Sequence, residues 1–140
     1  MGVSLHLKSS LEAVRACLEP LLLPDSSAIL VPREAWLSVY AEQLSPDISD
    51  IEELAVPLSI LTEVYAVIAE RQLEVYVFSK GALQGIQQTT PSDLPDDALS
   101  ELSIVKTLAR TGLLPSGSQT LEREAAKPGL AEFFGRSEDE

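Results

Sequence analysis

The segment LEVYVF at positions 73–78 restricts the fold more than any other part of the sequence. Val75 and Val77 fall on one side of an extended chain, while Tyr76 and Phe78 fall on the other, so the pattern predicts a strand buried on both faces. Such a strand needs sheet neighbours and a layer of structure above and below it. Two other apolar runs are candidates for those neighbours: VSLHL at 3–7 and AILV at 28–31.

Most of the chain between these strands carries apolar residues at helical spacing. The first such run starts after Ser9 and Glu12, which have capping-box spacing, and continues to Leu21. Three more segments predict helices in the same way: 33–44, with its stripe of Trp36, Tyr40 and Leu44; 51–72, bent at Pro57; and 97–110, which is followed by Gly112.

A competing interpretation concerns the part of the chain just before LEVYVF. Segments 62–70 (TEVYAVIAE) and 73–80 (LEVYVFSK) are both rich in Val and Tyr, which is typical of a β-hairpin. The longer helical periodicity that starts at Ile51 favours a helix instead, and we adopt it. Segment 79–90 is assigned to a short helix or turn.

The succession of elements predicts an α/β fold with a small sheet of about three strands joined by helical crossovers. Periodicity stops after Gly112, and a stretch rich in Gly, Pro and Ser follows. We therefore expect a compact domain over 1–112, which folds by itself, a flexible linker over 113–126 and a C-terminal tail over 127–140. A chain of 140 residues is long enough for one such domain.

The charge of the chain disfavours several classes of partner. It carries 22 acidic and 10 basic residues, for a formal net charge of −12. Negative charge repels nucleic acid phosphates and anionic lipid surfaces, and the basic residues before position 120 form no cluster. Because no secretory leader or long apolar run is present, we expect a cytoplasmic or nuclear protein that binds neither nucleic acid nor membrane directly.

Catalytic and metal-binding patterns are missing from the sequence. The only histidine, His6, alternates with apolar residues and is expected to point to solvent, and the only cysteine, Cys17, is expected to be an inert core residue. The acidic groups near Asp47 and Asp97 stand where helices begin, so capping explains them. The turn SKGALQG at 79–85 lacks a phosphate-loop pattern. We expect no enzymatic activity, no metal and no cofactor.

The tail carries the clearest functional signal. Lys127, Leu130, Phe133 and Phe134 have the spacing x-x-x-L-x-x-F-F, and one helical turn would place the three apolar side chains on one face. This spacing resembles the PCNA-interacting peptide, whose pattern is Q-x-x-[LIM]-x-x-[FY]-[FY], with Lys127 where that family has glutamine. The resemblance implies docking on a sliding clamp and a place in DNA replication or repair.

Two other interpretations of the tail stay open. Segment 132–138 (EFFGRSE) resembles the FFAT motif, through Glu132, Phe133, Phe134 and Glu138, and this resemblance implies binding to an MSP domain. Alternatively, the apolar side chains pack on the chain's own domain or on a sister subunit, in a purely structural role. The hypothesis that we carry forward is a non-enzymatic accessory or adaptor subunit of a larger intracellular complex, which binds only protein partners.

Overall fold

The computed structural model describes residues 2–69 and 72–122, which form one seven-stranded sheet with helices on both faces. The strands are β1 (Gly2–Leu7), β2 (Ser27–Pro32), β3 (Leu37–Ala41), β4 (Val64–Ala69), β5 (Leu73–Ser79), β6 (Ala82–Gln87) and β7 (Gln119–Glu122). The α-helices are α1 (Leu11–Leu18), α2 (Ile48–Leu58) and α3 (Leu102–Arg110), with 3-10 helices at Glu19–Leu21 and Asp96–Leu99. The strand order is β6-β5-β4-β1-β3-β2-β7, and all neighbours are antiparallel.

The first four strands and two helices form the centre of the molecule. Their chain order is β1-α1-β2-β3-α2-β4, and the four strands lie side by side as β4-β1-β3-β2. Each helix therefore joins two parallel strands that have one antiparallel strand between them. This is the split βαβ arrangement of ferredoxin-like folds. β5 and β6 extend the sheet at one edge, and β7 extends it at the other.

Helices α1 and α2 cover one face of the sheet. Their buried residues Val14, Leu18, Ile51 and Leu54 pack on the odd-numbered residues of β1 and on apolar residues of β2, β3, β4 and β5. Both helices begin with a side-chain cap, because Ser10 accepts a hydrogen bond from the Ala13 N–H and Asp47 accepts one from the Ser49 N–H. This layer holds the largest of the apolar clusters in the described residues.

The segment from Asp93 to α3 covers the opposite face. Leu94 and Ala98 pack with Trp36 and Val67, while Val105 of α3 packs with Tyr40, Ile29 and Val31. Gly112 follows α3 with a φ of 74°, a conformation that glycine adopts at low cost. The predicted end of this helix near Arg110, with Gly112 just beyond it, is confirmed. Its predicted start at Asp97 is wrong, because α3 begins at Leu102 and has neither a side-chain cap nor an acidic residue in its first turn.

The predicted sheet of about three strands is wrong. The structure has seven antiparallel strands, of which three come from segments assigned to helices or turns: β3, β4 and β6. Trp36 and Tyr40 are four residues apart, a spacing that fits one face of a strand as well as one face of a helix. Because β3 is buried along its whole length, it lacks the polar alternation that identifies a half-exposed strand.

The predicted helix over 51–72 combines two different elements. Helix α2 ends at Leu58, one residue after Pro57, and β4 begins at Val64. β4 pairs along its whole length with β5, from Val64 opposite Phe78 to Ala69 opposite Leu73. The β-hairpin interpretation of segments 62–70 and 73–80 therefore describes the structure, and the continuous helix does not.

The edge strand β7 lies beyond the predicted domain boundary at residue 112. The sequence predicts a linker over 113–126, and the structure places β7 within that range, paired with β2 from Ser27 opposite Glu122 to Leu30 opposite Gln119. Leu121 is buried in the core beneath α1 and α2. The tail over 127–140 lies outside the described residues.

Candidate functional site

The residues predicted to bind a partner follow the last strand. These residues, Lys127, Leu130, Phe133 and Phe134, lie outside the described part of the chain. Their point of attachment is described, because Glu122 ends β7 at one edge of the sheet. Residue 123, the first beyond the described part, therefore follows directly on the edge strand β7.

A buried polar cluster lies on the sheet face beneath α3. The hydroxyls of Ser4 and Ser38 each hydrogen-bond a ring nitrogen of His6, both at 2.8 Å. Arg33 Nη2 donates to the hydroxyl of Tyr40 at 3.2 Å, and that hydroxyl donates to the carbonyl of Ala98 at 2.8 Å. The cluster joins β1, β3 and the 3-10 helix at Asp96–Leu99 across the sheet face.

The prediction that His6 points to solvent is wrong, because the side chain is completely buried. The sequence shows correctly that the even-numbered residues of β1 share a face, but it does not show that the segment ending in α3 covers that face. Burial, with the positive charge of Arg33, lowers the pKa of His6 to about 3. A neutral, enclosed imidazole that is hydrogen-bonded on both nitrogens is suited to packing rather than to proton transfer with a substrate.

The acidic side chains have structural partners. Asp47 caps α2, which confirms the capping interpretation at that position, and Asp50 accepts a hydrogen bond from the Ser45 hydroxyl. The Lys8 ammonium hydrogen-bonds Asp93 and holds the pKa of that carboxyl below its usual value. Lys8 also lies over the Trp36 ring, 4.8 Å from its centroid. Among the described residues, no group of three or more His, Cys, Asp or Glu is placed to hold a metal ion.

A shallow groove of about 310 Å³ lies where β1 and β3 meet the start of α3. Its walls include Gly2, Glu42, Glu101 and Ser103. Lys106 hydrogen-bonds Glu42 and lowers the pKa of that carboxyl, so Glu42 is ionised at neutral pH and cannot act as a general acid. The groove contains neither the histidine nor the cysteine of the chain, and its lining mixes these polar residues with apolar ones such as Leu44 and Leu102.

The turn between β5 and β6 is tied to the end of α2. The turn residues Lys80 and Gly81 both have positive φ, at 53° and 83°, which is the geometry of a two-residue hairpin turn. The Lys80 N–H donates to the carbonyl of Ser59 at 3.0 Å, and the Gly81 N–H donates to the Ser59 hydroxyl at 2.8 Å. Of the two assignments for 79–90, the helix is wrong, because β6 occupies most of the segment, whereas a turn does lie at Lys80 and Gly81. Both turn amides are used inside the fold, so they are not open to an anion.

An exposed apolar surface results from this arrangement, and we call it the β6 surface; it consists of Ile60, Leu83 and Ile86. Ile60 follows α2 and lies beside the turn, within 4 Å of the space that a side chain at Gly81 would occupy. Leu83 stands opposite Phe78, and Ile86 stands opposite Tyr76, so both point to the sheet face that carries α2. Ile60 and Ile86 are 73% and 56% exposed, which is high for such large apolar side chains.

A β-bulge places Leu83 and Ile86 on the same face. Val77 is opposite Gly85, whereas the next residue, Phe78, is opposite Leu83, so Gln84 is an extra residue in β6. Without this extra residue, two positions that are three apart would point to opposite faces. The sequence reveals Leu83 and Ile86 as apolar, but not the bulge that brings them together.

The β6 surface and the origin of the tail lie at opposite edges of the sheet, because β6 and β7 are its two terminal strands. Within the described residues, the outer edge of β6 has no strand partner. The helices of the described part are all too short or too polar to cross a membrane. In comparisons with known proteins, no family model, no curated protein and no solved structure matches this chain.

Proposed function

We propose that this chain is a non-enzymatic accessory or adaptor subunit of an intracellular protein complex in the cytoplasm or nucleus, with a C-terminal segment that docks in a hydrophobic pocket of a partner protein. The partner that best fits the spacing of Leu130, Phe133 and Phe134 is a PCNA-type sliding clamp, which places the chain in DNA replication or repair. The single observation that carries the proposal is this group of three large apolar side chains beyond the last described strand.

The geometry of the described domain supports a docking role for the tail. Both faces of the central sheet are already covered, one by α1 and α2 and the other by the segment that ends in α3. Further apolar side chains are therefore not needed to close these two layers. Burying two phenylalanines and a leucine contributes several kcal/mol at about 25 cal/mol per Å², which is enough for a micromolar contact after ordering costs.

The chemistry of the described side chains supports a non-enzymatic role. A catalytic histidine must reach a substrate, whereas His6 is enclosed and strongly disfavours protonation. Burial also raises the pKa of the Cys17 thiol, which reduces the fraction of reactive thiolate. Saturable turnover in a broad screen for hydrolase, nuclease or transferase activity would contradict this part of the proposal.

Calorimetry with synthetic peptides tests the docking role. Because Gln119–Glu122 belongs to the sheet, the peptide should start at residue 123 and end at residue 140. We expect it to bind a PCNA-type clamp with low micromolar affinity at best, given the acidity of the tail. Changing both Phe133 and Phe134 to Ala should weaken binding by about 2–4 kcal/mol, as the loss of buried aromatic anchors does.

Two single substitutions separate the clamp from other partners. Lys127→Gln introduces the glutamine of the clamp-binding pattern. It should strengthen clamp binding and leave binding to an MSP domain unchanged. Glu132→Gln is the matched control, because it should weaken binding to an MSP domain and leave the clamp nearly unaffected. If the peptide binds neither protein, the docking proposal fails and a packing role within the chain's own assembly is favoured.

A further inference from the structure

We infer that the β6 surface is a dimerisation site, at which β6 of one chain pairs antiparallel with β6 of a second copy. This inference goes beyond the proposed function, because it concerns the edge of the sheet opposite to the tail. The outer edge of β6 offers backbone groups that no described strand pairs. Natural proteins protect such an edge with charged residues, proline or a β-bulge, since an unprotected edge pairs with another strand. β6 has the bulge at Gln84 but neither a charged residue nor proline.

The absence of charged residues from β6 favours a second copy of the chain as its binding partner. Residues 81–92 contain no Asp, Glu, Lys or Arg, and they form the longest uncharged run of a chain that carries a net charge of −12. Two acidic copies repel each other wherever carboxylates face each other, and they approach most easily at an uncharged strand. A basic partner, in contrast, would gain little attraction from this edge and more from the acidic surfaces elsewhere.

The bulge makes β6 self-complementary. A two-fold axis between Gln84 and Gly85 would place Leu83 of each copy opposite Ile86 of the other copy. The bulge at Gln84 puts both of these side chains on the α2 face, so both pairs would lie on the same side of a continuous sheet. An interface in which the same patch serves both copies is the usual form of a two-fold dimer.

The tail of the same chain is a poor occupant of this site. From β6 to β7 there are six strand spacings, which amount to about 29 Å. Leu130 is eight residues past Glu122, and eight fully extended residues span at most about 29 Å. That reach leaves no length for a path around the helices, so Leu130 cannot lie on the β6 surface of its own domain. Phe133 and Phe134 are far enough along the tail to span the distance, so only part of the apolar group of the tail fits this site.

The size of the contact predicts a weak dimer. Specific protein interfaces bury about 1,200–2,000 Å² in total, from about 20–30 residues on each side. A pair of six-residue edge strands with three apolar side chains from each copy is a small contact by that standard. We expect a dissociation constant in the micromolar range rather than the nanomolar range. The chain should therefore be monomeric when dilute and dimeric when concentrated.

Sedimentation equilibrium of the full-length chain, from about 1 to about 300 μM, tests the inference. We expect a monomer–dimer equilibrium that Ile86→Lys weakens at least tenfold. Ile104→Lys is the matched control, because Ile104 is 50% exposed on α3, and it should leave the dimer unchanged. Thermal melting of both variants should show that they fold. A monomer at the highest concentration, or a dimer that is indifferent to Ile86→Lys, would overturn the inference.

Hydrogen exchange identifies the contact itself. The backbone amides of Ala82–Gln87 should exchange more slowly at high protein concentration, because strand pairing protects them. Replacing both Phe133 and Phe134 with Ala should leave the dimer intact. If that double variant is monomeric instead, the tail of the second copy occupies the surface and strand pairing is wrong. Neither result bears on binding of the tail peptide to a clamp, so the two proposals can fail separately.

Discussion

At the scale of single residues, His6 links the stability of this protein to pH. The ring is fixed between Ser4 and Ser38, and the hydroxyl of Tyr40 ties the same region to the carbonyl of Ala98. The folded state holds His6 neutral because burial lowers its pKa from 6.5 to about 3. In the unfolded chain the ring is protonated below its ordinary pKa, so between these two values the unfolded state binds more protons.

Stability should therefore fall as the pH is lowered through this window. The contribution of the neutral ring is complete above about pH 6.5, and it decreases by about 1.4 kcal/mol per pH unit below that value until the folded pKa is reached. Glu42 and Asp93 have lowered pKa values, so their contribution is lost only below about pH 4.5. Urea denaturation between about pH 7 and about pH 4.5 measures the slope that belongs to His6.

The variant His6→Gln is the control for this slope. Glutamine retains hydrogen-bonding groups but does not titrate, so the free energy of unfolding should depend much less on pH in this range, whatever its absolute value. An unchanged slope in His6→Gln would assign the acid sensitivity to other groups.

At the scale of elements, the sequence predicts two helix ends correctly but assigns three strands to helices or turns. Caps have local signals, so Asp47 at the start of α2 and Gly112 after α3 are recognisable from the sequence. β3 and β4 lack such signals. Each is covered on both faces, and apolar residues throughout a short segment fit a helix or a strand equally well. Their identity depends on pairing with β1, which is distant in sequence.

The candidate sites were predictable to different degrees. The apolar spacing of the tail is visible in the sequence because it is a linear pattern. The β6 surface is not, because the hydrogen bonds between Ser59 and the hairpin turn hold the residue next to Ile60 at that turn, and the bulge at Gln84 puts Leu83 and Ile86 on one face. For the same reason, the cover over His6 could not be inferred, since it comes from a segment about 90 residues later.

β7 should contribute to stability although it lies outside the predicted domain of 1–112. Replacing Leu121 with Ala should lower the free energy of unfolding by about 2 kcal/mol, because the side chain is buried beneath the helices at the edge of the core. Thr120→Ala is the control, because Thr120 is exposed on the same strand, and it should change stability by less than about 0.5 kcal/mol. Chemical denaturation of both variants measures the difference.

Two truncations test the same boundary. A chain that ends at Glu122 should melt at nearly the same temperature as the full-length chain, whereas a chain that ends at Gly112 should melt several degrees lower. Equal melting temperatures for all three chains would show that β7 adds nothing to the stability of the sheet and that the predicted boundary at 112 is adequate.

At the scale of the whole molecule, charge repulsion opposes folding. The net charge of −12 is spread over one compact domain and its tail, while the ion pairs of Lys8 with Asp93 and of Lys106 with Glu42 are partly exposed. Exposed pairs contribute little, so the repulsion should exceed their attraction. Because salt screens charges beyond about 10 Å at 0.1 M, moderate salt should stabilise the folded chain.

Melting curves at increasing sodium chloride concentrations measure this effect. We expect the melting temperature at neutral pH to rise by a few degrees and then level off as the screening length becomes short. Sodium perchlorate at the same ionic strength is a useful control for specific ion effects. A steady fall in melting temperature with salt would mean that the ion pairs, and not the net charge, dominate the electrostatics of the fold.

The position of β1 in the sheet restricts the order in which the strands can pair while the chain is being synthesised. Among the described strands β1 is made first, yet it lies in the middle of the sheet, between β3 and β4. Its partners Val39 and Ala66 are made about 30 and about 60 residues later. The hairpin of β2 with β3 and the meander of β4, β5 and β6 are local, and local contacts form fastest. Because β4 is made after β1 and β3, the centre of the sheet around β1 cannot close until residue 69 has been made.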